Sequence, residues 1–139
     1  MTIREEISDA LRAAFPVFTG GVNEVSLPFE GWDSTFRFST PTLVYSFDNL
    51  TETPPASGVW RAEVTAHILC APLPLLDALC GEVSAFFSDT LLPHFSVTLA
   101  TGTRRDVFDP ELGCSRVEIN FRGVIVAREE KRRLEDVSE

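Results

Sequence analysis

Hydrophobic and polar positions alternate along this chain with two different periods, and the switches between them mark its elements. Ile3, Ile7, Ala10, Leu11 and Ala14 recur at helical spacing and give one apolar face. Thr2 with Glu5 three residues later is a capping box, and Phe15-Pro16 stops the pattern, so a helix over 3–14 is expected. Gly20-Gly21 marks a turn. Val25, Leu27 and Phe29 alternate, but Pro28 demotes that run to an edge or irregular stretch. Phe36 and Phe38 flank Arg37 as in a short strand. Thr42 to Phe47 is a run of β-formers ended by Asp48-Asn49, and the polar segment from Asn49 to Gly58 is expected to be a loop.

The second half is more regular. Trp60, Ala62, Val64, Ala66 and Ile68 share one face of a strand over 60–70, with Arg61, Glu63, Thr65 and His67 on the other. Pro72 opens an amphipathic helix carried to Leu92, whose stripe includes Leu75, Leu76, Leu79, Cys80, Val83, Phe86, Phe87 and Leu91; Pro93 ends it. Phe95, Val97 and Leu99 alternate with Ser96, Thr98 and Ala100 in a further strand. Residues 101–115 are rich in Gly, Pro and charge and are expected to be a loop. Val117 to Ala127 then alternates as a last strand, with Val124 and Val126 on its nominally polar side. The fold class that follows is α+β: an antiparallel or mixed sheet of four to five strands, with an N-terminal helix and a long helix packed on one face. Residues 1–128 form a single domain, followed by a charged tail over 129–139.

A chain of 139 residues is long enough for one core without staples. Its net charge of -9 argues against a protein that grips nucleic acid and disfavours anionic membranes. It permits a surface past which DNA slides, because like charges do not adhere. No apolar run reaches the length of a membrane span, and Met1 to Glu6 lacks the features of a signal peptide, so a cytoplasmic origin is expected. Cys70, Cys80 and Cys114 form no CxxC pair and are expected as free thiols, the first two buried as small hydrophobes.

Chemical motifs are few. His67 and His94 are the only imidazoles, expected on the surface of a strand and in a loop. Asp106, Asp109 and Glu111 lack the glycine and the terminal glutamate of a calcium loop. No nucleophile, phosphate or cofactor motif is present, so no catalytic residue, metal or cofactor is expected. Arg104-Arg105-Asp106 is the one polar cluster with a functional reading. Two adjacent Arg can clamp a partner's carboxylates, and the alternative is a solvated turn with a local Arg–Asp pair.

The order of these elements resembles the tail terminator proteins of lambda-like long-tailed phages. The residues that carry the resemblance are the Pro-led strand Pro41-Thr42-Leu43-Val44-Tyr45 and the Trp-led strand from Trp60 to Ala66. The helix Pro74-Leu75-Leu76-Asp77-Ala78-Leu79, the Arg104-Arg105-Asp106 loop and the strand entry Ser115 to Ile119 complete it. Residues 20–38 and the charged tail depart from the pattern. The resemblance implies a structural virion protein of the tail and neck, made in the host cytoplasm. It would form a homo-hexameric ring that stops growth of the tail tube protein and docks on the head-tail connector protein. A sheath protein would be a further partner if the tail is contractile, and DNA would pass the pore without specific binding. On this reading Arg104, Arg105 and Asp106 meet the tube or connector, and Val124 and Val126 lie at the subunit interface. Two alternatives stay open: another neck or tail-completion protein, or a small-molecule-binding or hydrolytic α+β domain, which would need a pocket with convergent titratable groups.

Overall fold

The computed structural model describes residues 2–25, 41–69, 73–109 and 114–128. The expected short strand at Phe36–Phe38, the run through Leu27 and Phe29, the helix start at Pro72, Cys70, Glu111 and the tail over 129–139 lie outside these residues.

Helix α1 spans Ile3–Ala14. The Thr2 hydroxyl accepts from the Glu5 amide at 3.2 Å and donates to Glu5 Oε1 at 3.1 Å, which satisfies an orphan donor of the first turn. Strand β1 is Val22–Glu24, entered through Gly21, whose φ of +104° suits glycine. Strands β2 (Thr42–Glu52) and β3 (Val59–Leu69) form a hairpin. The Glu52 carboxylate holds its turn by accepting from the amides of Ala56 at 2.9 Å and Gly58 at 3.0 Å. Helix α2 is Leu73–Ser88, β4 is Thr90–Leu91, β5 is Phe95–Asp109 and β6 is Cys114–Ala127.

The described strands form one mixed sheet of six in the order β1-β2-β3-β6-β5-β4, rather than four to five. The difference comes from β1 and β4, two or three residues each, too short for periodicity to show. Only β1 and β2 run parallel; the other neighbours are antiparallel. Both helices place their apolar residues in one core with Leu43, Tyr45, Val64, Ile119 and Phe121 of the sheet. Phe87 of α2 lies on Phe121 of β6 with ring centroids 4.7 Å apart, and Phe86 meets Phe15 at the end of α1 at 6.1 Å.

Three expectations are corrected. Asp48-Asn49 does not end β2. The register steps from Phe47 opposite Val64 to Asn49 opposite Glu63, so Asp48 is an extra residue in a β-bulge and the strand continues to Glu52. Residues 101–109 are not a loop. They continue β5, with Gly102 and Thr103 together spanning the position opposite Asn120, and the pairing resumes at Arg104 opposite Ile119. Helix α2 stops at Ser88, short of Leu92. The Ser88 hydroxyl donates to the Ala85 carbonyl at 3.0 Å and the Thr90 hydroxyl to that of Phe86, so side chains satisfy the last carbonyls and release the chain into β4.

A corner at residues 92–94 gathers distant parts of the chain. Glu6 of α1, 2% exposed, accepts from the His94 amide at 2.8 Å and faces His94 Nδ1 at 3.2 Å. Arg128, beyond β6, donates to the carbonyls of Leu92 at 3.1 Å and Pro93 at 3.2 Å. His94 thus lies in a loop, as its position after Pro93 suggests, and is tied there.

Candidate functional site

The helix-free side of the sheet and the outer run of β5 carry the polar side chains of interest. Strand alternation decides where Arg104, Arg105 and Asp106 point. Arg104 and Asp106 turn toward the helix side. Arg104 Nη2 meets Asp77 Oδ1 of α2 at 2.7 Å and its Nε meets Asp106 Oδ1 at 3.1 Å. These two hydrogen-bonded carboxylates, Asp77 first, raise the guanidinium's already high pKa. Arg105 turns to the other face, where its Nε lies 3.3 Å from Glu118 Oε2. The two guanidiniums therefore do not form one clamp. The local Arg–Asp pair exists, but on a strand instead of a turn. All residues from Thr101 to Asp106 are exposed, while Val117, Ile119 and Phe121 opposite them on β6 are buried.

Glu118 links Arg105 to His67. His67 is only 4% exposed, not the surface residue expected, and Arg116 beside it is also buried. Arg116 Nη1 lies 3.1 Å from His67 Nδ1. A guanidinium has only donors, so Nδ1 accepts and the ring proton sits on Nε2, which faces Glu118 Oε1 at 4.0 Å. Four side chains from three strands thus form a charged and polar line across this face. Periodicity placed His67 on the polar side correctly. Its burial depends on what packs over that side, which alternation does not encode.

Further along the same face, between the two bulges, lies an open groove of about 590 Å³ lined by Asp48, Glu63, Thr103, Asn120 and Arg122 among others. Asp48 accepts from Thr65 and, at 3.2 Å, from Ser46. Thr65 Oγ1 also lies 3.0 Å from Asn120, whose amide nitrogen donates to Thr103 at 2.7 Å. Arg122 pairs with Glu63 at 3.0 Å. The groove is a satisfied hydrogen-bond network with spare carboxylate acceptors. Sequence reading missed it because its walls are four strands apart in the chain; the Thr101-Gly102-Thr103 run, a glycine in a strand pattern, was the available signal of a bulge.

Val124 and Val126 stand at the other end of this face. Val124 is 39% exposed and Val126 is half-buried. The pairing Leu91–Ser96–Val126–Val59 runs across four strands, and Leu91 at its end is 64% exposed.

Cys80 is buried beside Arg104, and burial pushes its thiol pKa up. Among the described residues no group of three or more His, Cys, Asp and Glu is placed to hold a metal ion. No described helix is long and apolar enough to cross a membrane. No family model matches the chain, and no curated protein matches it.

Proposed function

We propose that this chain is a structural virion assembly protein that works as a homo-hexameric ring on the end of a phage tail tube. It ends polymerisation of the tube protein and forms the interface to the head-tail connector protein. The observation that supports this best is the outer run of β5. Six consecutive residues, Thr101 to Asp106, are exposed inside a strand, and an open strand edge is a template for another chain. Arg104, Arg105 and Asp106 on that run are the partner-binding residues, and Val124 and Val126 with Leu91 offer an apolar surface to a neighbouring subunit. The net charge of -9 suits a pore that DNA crosses without being held. The protein then resides in the virion's tail and neck after synthesis in the host cytoplasm, next to sheath protein if the tail contracts.

The test is assembly of the tube protein from the same phage with and without this chain, with tube lengths measured by electron microscopy. Addition of the chain is expected to stop elongation and place a ring at one tube end. Tubes that elongate equally in both samples would count against the reading. A protein that binds the portal side and ignores tube ends is instead a head-tail connector component.

A second reading, a small-molecule-binding or hydrolytic α+β domain, draws on the groove between the bulges. Its test is a thermal-shift screen of small polar ligands and generic ester and phosphate substrates, with Asp48→Ala as the control that must abolish any response.

A further inference from the structure

The two sides of the sheet are stepped in opposite senses. On one side β1 pairs with β2 only at Leu43–Tyr45, so beyond Tyr45 the strand continues to Glu52 with no outer strand among the described residues. On the other side β4 pairs with β5 only at Ser96 and Val97, so 98–109 have no outer strand among the described residues. The registers show that the steps lie at opposite ends. Glu24, Tyr45, Ala66, Ile119 and Arg104 form one row across the sheet; Val22, Leu43, Ile68, Val117 and Asp106 form another. Thr90 heads a third row through Val97, Ile125, Trp60 and Glu52. Among the described residues, β1 therefore protrudes at the level where β5 has no outer strand, and β4 protrudes at the level where β2 has none.

We propose that copies of this chain join head to tail through these steps. The β5 edge at Arg104–Asp106 meets the β1 edge at Val22–Glu24 of the next copy, and β4 fits against that copy's β2 beyond Tyr45. The inference rests on the ring reading, and within it gives the β5 edge at Arg104–Asp106 to the next copy instead of to the tube or connector, because a strand edge pairs with one chain at a time. Three observations select a second copy as the occupant. The stepped outlines match each other with no shift along the strands. The row that ends in Arg104 on one side ends in Glu24 on the other, so a row-to-row joint sets opposite charges face to face. Strand directions are also compatible: β5 runs opposite to β1, so that part of the joint is antiparallel, while β4 runs with β2 and that part is parallel. A two-fold β5–β5 joint that set Arg104 against Asp106 would instead set Arg105 against Arg105. A head-to-tail joint is heterologous and closes into a ring when its rotation allows.

Before assembly the charged groups at both edges are paired within the chain. Glu24 pairs with Arg4 at 2.9 Å, and Arg12 donates to the Val22 carbonyl at 3.2 Å. Arg104 pairs with Asp77 and Asp106. The joint exchanges these local contacts for ones between copies.

The test is a charge swap read by light scattering and sedimentation over a concentration series, with circular dichroism confirming each fold. Arg104→Glu and Glu24→Arg are each expected to weaken self-association by roughly tenfold or more at low salt. Mixing the two single variants is expected to restore it, because each then meets its complement on both sides; the double variant is expected to assemble alone. Single variants that assemble like the unaltered chain overturn the inference, as does a mixture no better than its components. An unaltered chain that stays monomeric throughout the series also overturns it. Rings that obey the charge rule yet leave tube length unchanged count against the tail reading alone.

Discussion

Glu6 shows how one residue escapes a periodicity argument. In the helical pattern of α1 it falls among the apolar positions Ile3, Ile7 and Leu11, and the structure buries it with them. The carboxylate is tolerated there because the His94 amide and ring satisfy it. Glu6→Ala is expected to lower stability by about 2 to 3 kcal/mol, because it leaves the His94 N–H without its charged acceptor. Glu6→Gln keeps an acceptor and should lose less. Urea unfolding of both variants checks this, and equal stability of the Ala variant would remove the contact from the account.

Tyr45 and Cys80 predict an alkaline limit. Burial is the main cause that raises both groups, from ordinary values of 10.0 and 9.0. Tyr45 Oη has no hydrogen-bond partner of good geometry; Ser8 lies near enough to ease ionisation, but burial outweighs it. The folded chain therefore keeps protons that the unfolded chain releases, so stability falls as pH rises above about 9. Tyr45→Phe should remove the tyrosine's share of that fall and leave stability at neutral pH unchanged or slightly higher. Unfolding midpoints between about pH 8 and about pH 11 give the comparison. A Tyr45→Phe chain with the same alkaline slope would show that the phenol plays no part.

Among the elements, the difference between expectation and structure lies in the bulges. Leu43, Tyr45 and Phe47 face the core, and simple alternation would continue at Asn49 and Thr51. The extra residue at Asp48 reverses the phase, so Leu50 packs against the core instead. In β5 the same reversal between Thr101 and Arg104 puts Arg104 on the helix side and Arg105 on the other. A strand whose phase flips looks, in sequence, like a strand that has stopped. That is why both strands read short in the sequence, while α1 and β3 are legible almost to the residue and β6, expected from Val117, begins three residues earlier at Cys114. The candidate clamp was misplaced for the same reason.

Between β5 and β6 glycine is obligatory at one place. A Cβ on Gly123 would lie 2.1 Å from the Thr98 carbonyl oxygen and 2.9 Å from Leu99 Cα. Both obstacles are backbone, so Gly123→Ala must push β5 from β6 and is expected to cost about 3 kcal/mol or more. A thermal melt indistinguishable from that of the unaltered chain would contradict this close approach. At Gly81, by contrast, a Cβ meets nothing within 4 Å, so Gly81→Ala in α2 serves as the benign control.

For the molecule as a whole, the sheet has its helices on one side and its stepped edges at the flanks. Fold class was legible in the sequence because hydrophobic periodicity reports which face is buried. The edges were not, because an edge is a property of which strand lacks a neighbour, and that depends on pairings between segments far apart in the chain. Arg104–Asp106 stood out as charged and polar, yet the residue at the other end of its row, Glu24, had no local signal at all. The proposed function draws on that same geometry, and the capping and charge-swap experiments separate the ring from its task.

The corner at residues 92–94 has a consequence for synthesis. It is held by Glu6 and by Arg128, which is made long after Glu6. On the ribosome α1 and the β2–β3 hairpin emerge early, but the corner cannot close until β6 and Arg128 have left the exit tunnel. A nascent chain arrested before that point holds its first helix with only one of the two ties. Premature pairing of exposed strand edges is most costly in such an incomplete intermediate, before the corner has closed.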